Sequence, residues 1–150
     1  MDQSIGELVA PTRLMMTPGP CSIHPRVYRA LATPLVGHMD PWFVGTVITE
    51  TQDLLRRLFQ TENRVTFPLS ASGSGGIEAS VVNPLERGDE MIMAVNGAFS
   101  ERMASIAERT GATVHRVEAP LGRPVDPDDV RRFAKGRRIK LVGVCHGETS

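Results

Sequence analysis

The chain has 150 residues, 41% of them hydrophobic, and its 17 basic side chains balance 17 acidic ones. That composition supports one soluble globular domain with a core of its own. Zero net charge without a basic face argues against nucleic acid as the main partner, and no apolar run approaches the length of a membrane span.

The first residues, "MDQSIGELVAPTRL", lack the charged start and apolar stretch of a secretory signal. Residues 1–25 are rich in Pro and Gly without a clean period, and "TPGPCSIHP" (Thr17 to Pro25) is expected to be extended and turn-rich. A short helix is predicted over "PRVYRALA", with Pro25 at a permitted first-turn position. "TPLVGHMDP" again reads as loop. Val44, Val47, Ile48, Thr51, Leu54, Leu55, Leu58 and Phe59 then recur at three- and four-residue steps, the period of an amphipathic helix.

"RVTFPL" (64–69) reads as a short strand. "SASGSGG" (70–76) follows as a loop, and "GIEASVVNPL" (76–85) as a helix with Ile77, Val81 and Leu85 on one face. The alternation then repeats. "EMIMAV" is a buried strand, and "FSERMASIAERTG" a helix ended by Gly111. "ATVHRVEA" is a strand, and "DPDDVRRFAKG" a helix with acids in its first turn and bases in its last. "RIKLVGVCHG" is an apolar strand running into a polar cluster. Strand–helix alternation predicts an α/β fold, a mostly parallel sheet covered by helices on both faces. Ligands of such sheets bind beyond the carboxyl ends of the strands, here Ser70–Gly76, Asn96–Phe99 and His146–Ser150.

The glycine stretch has the makings of an anion site: free N–H groups at a helix N-terminus, the hydroxyls of Ser72 and Ser74, and glycines that let a ligand approach. The named nucleotide motifs fail. In the dinucleotide pattern, Gly73 and Gly75 fit but Glu78 stands in place of the last glycine; a P-loop would need a lysine, and none is near. The nucleophile elbow G-x-S-x-G is absent too. From these letters alone, a flexible strand–helix loop and a phosphate cradle both stand. Cys21 and Cys145 lie far apart without metal-type spacing; no metal site is expected, and both read as reduced thiols of a cytoplasmic protein.

Five blocks shift that balance: "MMTPGPCSIHPRVYRALATPLVGHMDP", "FQTENR", "SGSGGIEASVVNPLERGD", "VNGAFSERMASIAERTGATVHRVEAP" and "HGETS". In this order and spacing, over residues 14–150, they resemble the class V aminotransferases, in particular the alanine–glyoxylate and serine–pyruvate group. These are pyridoxal-phosphate enzymes of fold type I. The resemblance implies a large cofactor-binding domain beginning near residue 26 after an extended segment 1–25. It implies that Ser72, Gly73 and Ser74 bind the cofactor phosphate, that Phe99 stacks on the pyridine ring, and that Thr149 bonds the phenolic oxygen. Gly19 in the "TPGP" turn resembles the substrate side, and Gly37 to Asp40 a stretch that completes the site at a dimer interface. The implied reaction moves an amino group from alanine or serine to glyoxylate or another 2-oxo acid, in a homodimer.

The same resemblance implies a Schiff-base lysine, an aspartate on the pyridine nitrogen and an arginine for the substrate carboxylate, all beyond "HGETS". The chain holds two lysines, Lys135 and Lys140, against 15 arginines, and neither matches the family's lysine motif. No catalytic residue is therefore assigned, and the 150 residues are expected to be an N-terminal portion, marginally stable and inactive alone. Two other readings stand beside this one: a ureidoglycine–glyoxylate aminotransferase, whose glycine-loop letters differ, and a non-catalytic remnant that pairs with a full-length partner.

Overall fold

The computed structural model describes residue 6 and residues 8–149. Three parallel strands form its sheet in the order β2-β1-β3: β1 (Glu90–Val95), β2 (Thr113–Glu118) and β3 (Ile139–Gly143). Met91, Met93 and Val95 alternate along β1 and join Val81, Leu85, Ala104, Ala107 and Ala112 in one buried cluster. Those partners come from α3 (Gly73–Val82) and the turn after it, and from α4 (Ala98–Arg109) and the turn that follows it. Small alanines on α4 let that helix lie close to the strand methionines. Ile92 and Ala94 point to the other face, where Ala94 and Val142 share a hollow with Val130 of α5 (Pro127–Ala134). Helices therefore cover both faces of a parallel sheet, as the alternation predicts. Met91, Ile92, Met93 and Val81 are wholly buried, each worth roughly 1.5–3 kcal/mol against exposure.

Each helix end has a local cause. Pro127 sits in the first turn of α5, and the carboxylate of Asp126 accepts from the N–H of Asp128. Gly111, at φ 86°, ends α4 in the left-handed region that glycine adopts freely. On the α4 face, Arg116 of β2 bridges Glu101 and Glu108, which holds the guanidinium more firmly protonated than usual.

The N-terminal half is built differently. α1 is Pro25–Leu31, and the long amphipathic segment is helical as expected, opening with a π-helical turn (Phe43–Ile48) and continuing as α2 (Thr49–Phe59). Asp40 caps it, accepting from the N–H groups of Trp42 and Phe43. No described residue before Val81 is buried. The apolar stripe of α2 is left open, with Leu58 74% and Phe59 70% exposed.

Two expectations need correction. Residues 64–69 form no strand. The sheet offers them no partner, Pro68 lacks a donor, and Arg56 instead holds the carbonyls of Asn63 and Arg64 at 3.1 and 2.7 Å. The glycine stretch is also not a loop up to Gly76. α3 starts at Gly73 with Ser72 as its N-cap, so Gly73, Ser74, Gly75 and Gly76 are its first turns. Glycine is needed there at position 75, because a Cβ would stand 2.7 Å from the Cβ of Ala71.

Candidate functional site

The carboxyl ends of the strands gather four segments. β1 runs into Asn96 and Gly97 and then α4, which carries Phe99 in its first turn. β3 runs through Cys145 into a turn at Gly147, φ 93°, followed by Glu148 and Thr149. α3 begins at Ser72 beside α4. The "TPGP" turn, held by the Thr17 hydroxyl donating to the Pro20 carbonyl at 2.7 Å, reaches the Gly147 turn: a Cβ on Gly147 would lie 3.8 Å from that of Pro18.

Particular bonds fasten these segments together. Arg102, one turn after Phe99, donates to the Ser74 hydroxyl at 3.0 Å, and its guanidinium carbon lies 5.2 Å from the Phe99 ring centroid. That single side chain joins the start of α3 to the ring of Phe99. Glu148 reaches α4 from the other side. Its Oε2 accepts from the N–H of Phe99 at 3.1 Å and of Ser100 at 3.0 Å, and its Oε1 from the N–H of Thr149 at 3.1 Å. Ser100 is wholly buried. Its oxygen accepts from the N–H groups of Asn96 and Gly97, and its one proton lies within reach of the Gly97 carbonyl at 2.8 Å and Glu148 at 3.1 Å.

The structure thus brings Ser72, Gly73, Ser74, Phe99 and Thr149 to one end of the sheet, with Gly19 in the turn beside Gly147. The amide N–H groups of Gly73 and Ser74 have no acceptor among the described residues. Ser74 keeps its own proton to donate while accepting from Arg102. Phe99 is 36% exposed. Asp40, in the stretch expected at a dimer interface, caps its own helix. Burial pushes the Cys145 thiol above its ordinary pKa, and the nearby charge of Glu148 adds to the shift. Neither lysine lies at this end. Lys140 pairs with Asp89 at 2.7 Å, at the start of β1 and so at the opposite end of the sheet, and Lys135 closes α5.

Sequence reasoning assigns no role to Arg102, Ser100 or Glu148. Arg102 had a readable signal, since it follows Phe99 by three residues and so shares its helix face. Glu148 had a subtler one. The residue before α4 is Gly97, which has no side chain to cap a helix, so an acceptor has to come from elsewhere.

No model of a known protein family matches the chain. Individual relatives do. The (S)-ureidoglycine–glyoxylate transaminase of Bacillus subtilis is 43% identical over 144 residues, 96% of this chain and 34% of that protein. The crystal structure of ureidoglycine–glyoxylate aminotransferase from Bacillus subtilis superposes with a TM-score of 0.83 over 97% of this chain and 37% of its own. The alanine–glyoxylate aminotransferase of Drosophila melanogaster is 33% identical over 143 residues, 95% of this chain and 36% of the relative. That from Nostoc sp., a crystal structure, is 36% identical with a TM-score of 0.83, covering 97% of this chain and 38% of the other. The chain spans about a third of the length of the curated relatives it matches.

Proposed function

We propose, for a chain whose sequence and fold are those of the N-terminal part of class V pyridoxal-phosphate aminotransferases, that it forms one wall of a cofactor site in a protein that transfers an amino group to glyoxylate. The observation that carries the reading is the meeting of the α3 first turn, Phe99 and Thr149, joined by Arg102 and Glu148. Pyridoxal phosphate presents a phosphate, an aromatic ring and a phenolic oxygen, and the donor set suits all three. The unmatched N–H groups of Gly73 and Ser74, the hydroxyls of Ser72 and Ser74 and the positive end of α3 suit the phosphate. A Cβ on Gly73 would meet nothing, so the approach to that backbone is open. The half-exposed ring of Phe99 suits the pyridine face, and Thr149 the phenolic oxygen.

When bound, the cofactor supplies an electron sink for the carbon that carries the amino group. The chain's own part is binding and orientation. Ser72, Gly73 and Ser74 would anchor the phosphate. Phe99 fixes the ring plane, and Arg102 steadies Phe99 from one face. The Thr149 hydroxyl would donate to the phenolic oxygen and favour its charged form. Gly19, in the turn seated against Gly147, lines the substrate side. The reaction also asks for a lysine from outside these 150 residues, because Lys135 and Lys140 stand elsewhere. The apolar side chains left open on α2 are consistent with a homodimer.

For the amino donor, identity is higher to the ureidoglycine relative (43%) than to the alanine relatives (33% and 36%). That favours ureidoglycine, with alanine or serine as the second reading. The test uses the full protein that carries this chain. Cofactor uptake followed by absorbance should weaken strongly in the double variant Ser72→Ala with Ser74→Ala. Unchanged affinity would refute the cradle, and a wild type that takes up no cofactor would leave the non-catalytic reading. Single-turnover assays with glyoxylate and each donor then rank the substrates.

A further inference from the structure

The N-terminus of α4 is capped from a distance. A helix leaves its first N–H groups without intrahelical acceptors, and the residue just before it normally supplies one. Gly97 has nothing to supply. The acceptor for Phe99 and Ser100 is instead the carboxylate of Glu148, 49 and 48 residues further along the chain. The same carboxylate takes the N–H of Thr149 on its other oxygen. One anionic group therefore spans the backbone of the residue proposed to face the cofactor ring and of the residue proposed to meet its phenolic oxygen.

We propose that Glu148 is a positioning residue that sets the spacing between Phe99 and Thr149, and so the tilt of the ring held between them. This rests on the cofactor reading above. Three features support it. Oε2 takes the N–H groups of Phe99 and Ser100, while Oε1 takes the N–H of Thr149 with a longer 3.4 Å approach from Phe99, so the group acts as a tie rather than as a cap alone. A negative charge at a helix N-terminus gains from the macrodipole, and charge-assisted bonds to N–H are stronger than neutral ones. The tie is also reinforced from below by Ser100, buried at the same junction and within 3.1 Å of Glu148. Glutamine cannot replace the carboxylate. It keeps one acceptor oxygen, and its amide nitrogen would face an N–H donor, so one of the two segments loses its anchor.

The experiment uses the full protein with cofactor titration, near-ultraviolet and visible circular dichroism of the bound cofactor, and apo-protein melting. Glu148→Gln should weaken cofactor binding by roughly five- to thirtyfold and shift the induced dichroism. Ser100→Ala leaves the three N–H bonds of Glu148 in place, so it should lower the melting temperature but spare the dichroic signal. A Glu148→Gln protein that melts lower yet binds cofactor within about twofold of wild type with an unaltered signal would overturn the proposal. If Glu148→Gln does not fold, Glu148→Asp is read in its place. It keeps the charge but is one methylene short of spanning both segments, so the signal should shift again, and an unaltered one overturns the tie. A wild type that shows no cofactor signal at all sinks the underlying cofactor reading instead.

Discussion

The end of β3 has no free space beside Gly143 for an added atom. Gly143 pairs with Met93 across the sheet, and its missing side chain is what leaves room for the strand methionines. A Cβ there would stand 2.5 Å from Met93 Sδ and 2.6 Å from Met91 Cε, well inside van der Waals contact. Both atoms lie near the ends of flexible side chains, so either alone could swing aside. Both methionines are wholly buried, however, so each would have to move into the packed alanines of α4. Gly143→Ala should therefore cost about 1–3 kcal/mol, the range for overpacked cores. For a domain of this size that is a drop of roughly 2–12 °C in melting temperature. Shortening the neighbour should recover part of it, so Gly143→Ala with Met93→Val should melt above the single variant. Because Gly143 leads into the turn of Glu148 and Thr149, the single variant should also disturb cofactor uptake. A Gly143→Ala protein as stable as wild type would show that the methionines repack freely and that the close approach is not a constraint.

Two further outcomes follow from the charges. Asp89 is held below the usual carboxylate range, first by its hydrogen bond from Lys140, and Lys140 is raised by the same partner. Asp89, depressed in the fold, contributes stability that is present above its unfolded value near 4 and lost as pH falls through its folded value. Lys140, raised, contributes stability that is present below its unfolded value near 10.4 and lost as pH rises through its folded value. The melting difference between wild type and Asp89→Asn should therefore hold steady across neutral pH and shrink on acidification; a difference that grows in acid would contradict the pairing. Cys145, half-buried and shifted upward, should alkylate more slowly than exposed Cys21. Glu148→Gln should speed its labelling, and equal rates for both cysteines, read by mass spectrometry, would count against the described environment.

The fold from β1 onward was legible because its signals are local and redundant. "EMIMAV" is apolar on both faces, as a central parallel strand must be, α5 carries its own start residues in Asp126 and Pro127, and α4 its own stop in Gly111. The failures came where partners decide. "RVTFPL" has the composition of a strand, but a strand exists only against another, and neither edge of this sheet takes it. The helix start at Gly73 was hidden because glycines look like loop until Ser72 and the helix's own bonds fix them. Phe99 and Thr149 are named only through the family resemblance, and what ties them to Ser74 is not named at all. Arg102 to Ser74 spans 28 residues and Glu148 to Phe99 spans 49, and no periodicity encodes a bond of that separation.

Those two long bonds also explain why the walls of the site differ in firmness. The α3–α4 and α4–β3 junctions rest on a buried cluster of strand and helix side chains, so Ser74, Phe99 and Thr149 are referenced to the same core. The "TPGP" turn is not. Its Pro18 comes near Gly147, while among the described residues every hydrogen bond of residues 8–68 stays within that segment. With no described residue buried before Val81, the wall proposed for the substrate side has little of its own core to fix it. Cofactor anchoring should therefore depend on residues 70–149, and substrate geometry on whatever apolar surface comes to cover Leu54, Leu58 and Phe59. On this division, loosening the N-terminal segment would alter KM for the amino donor before it altered cofactor affinity.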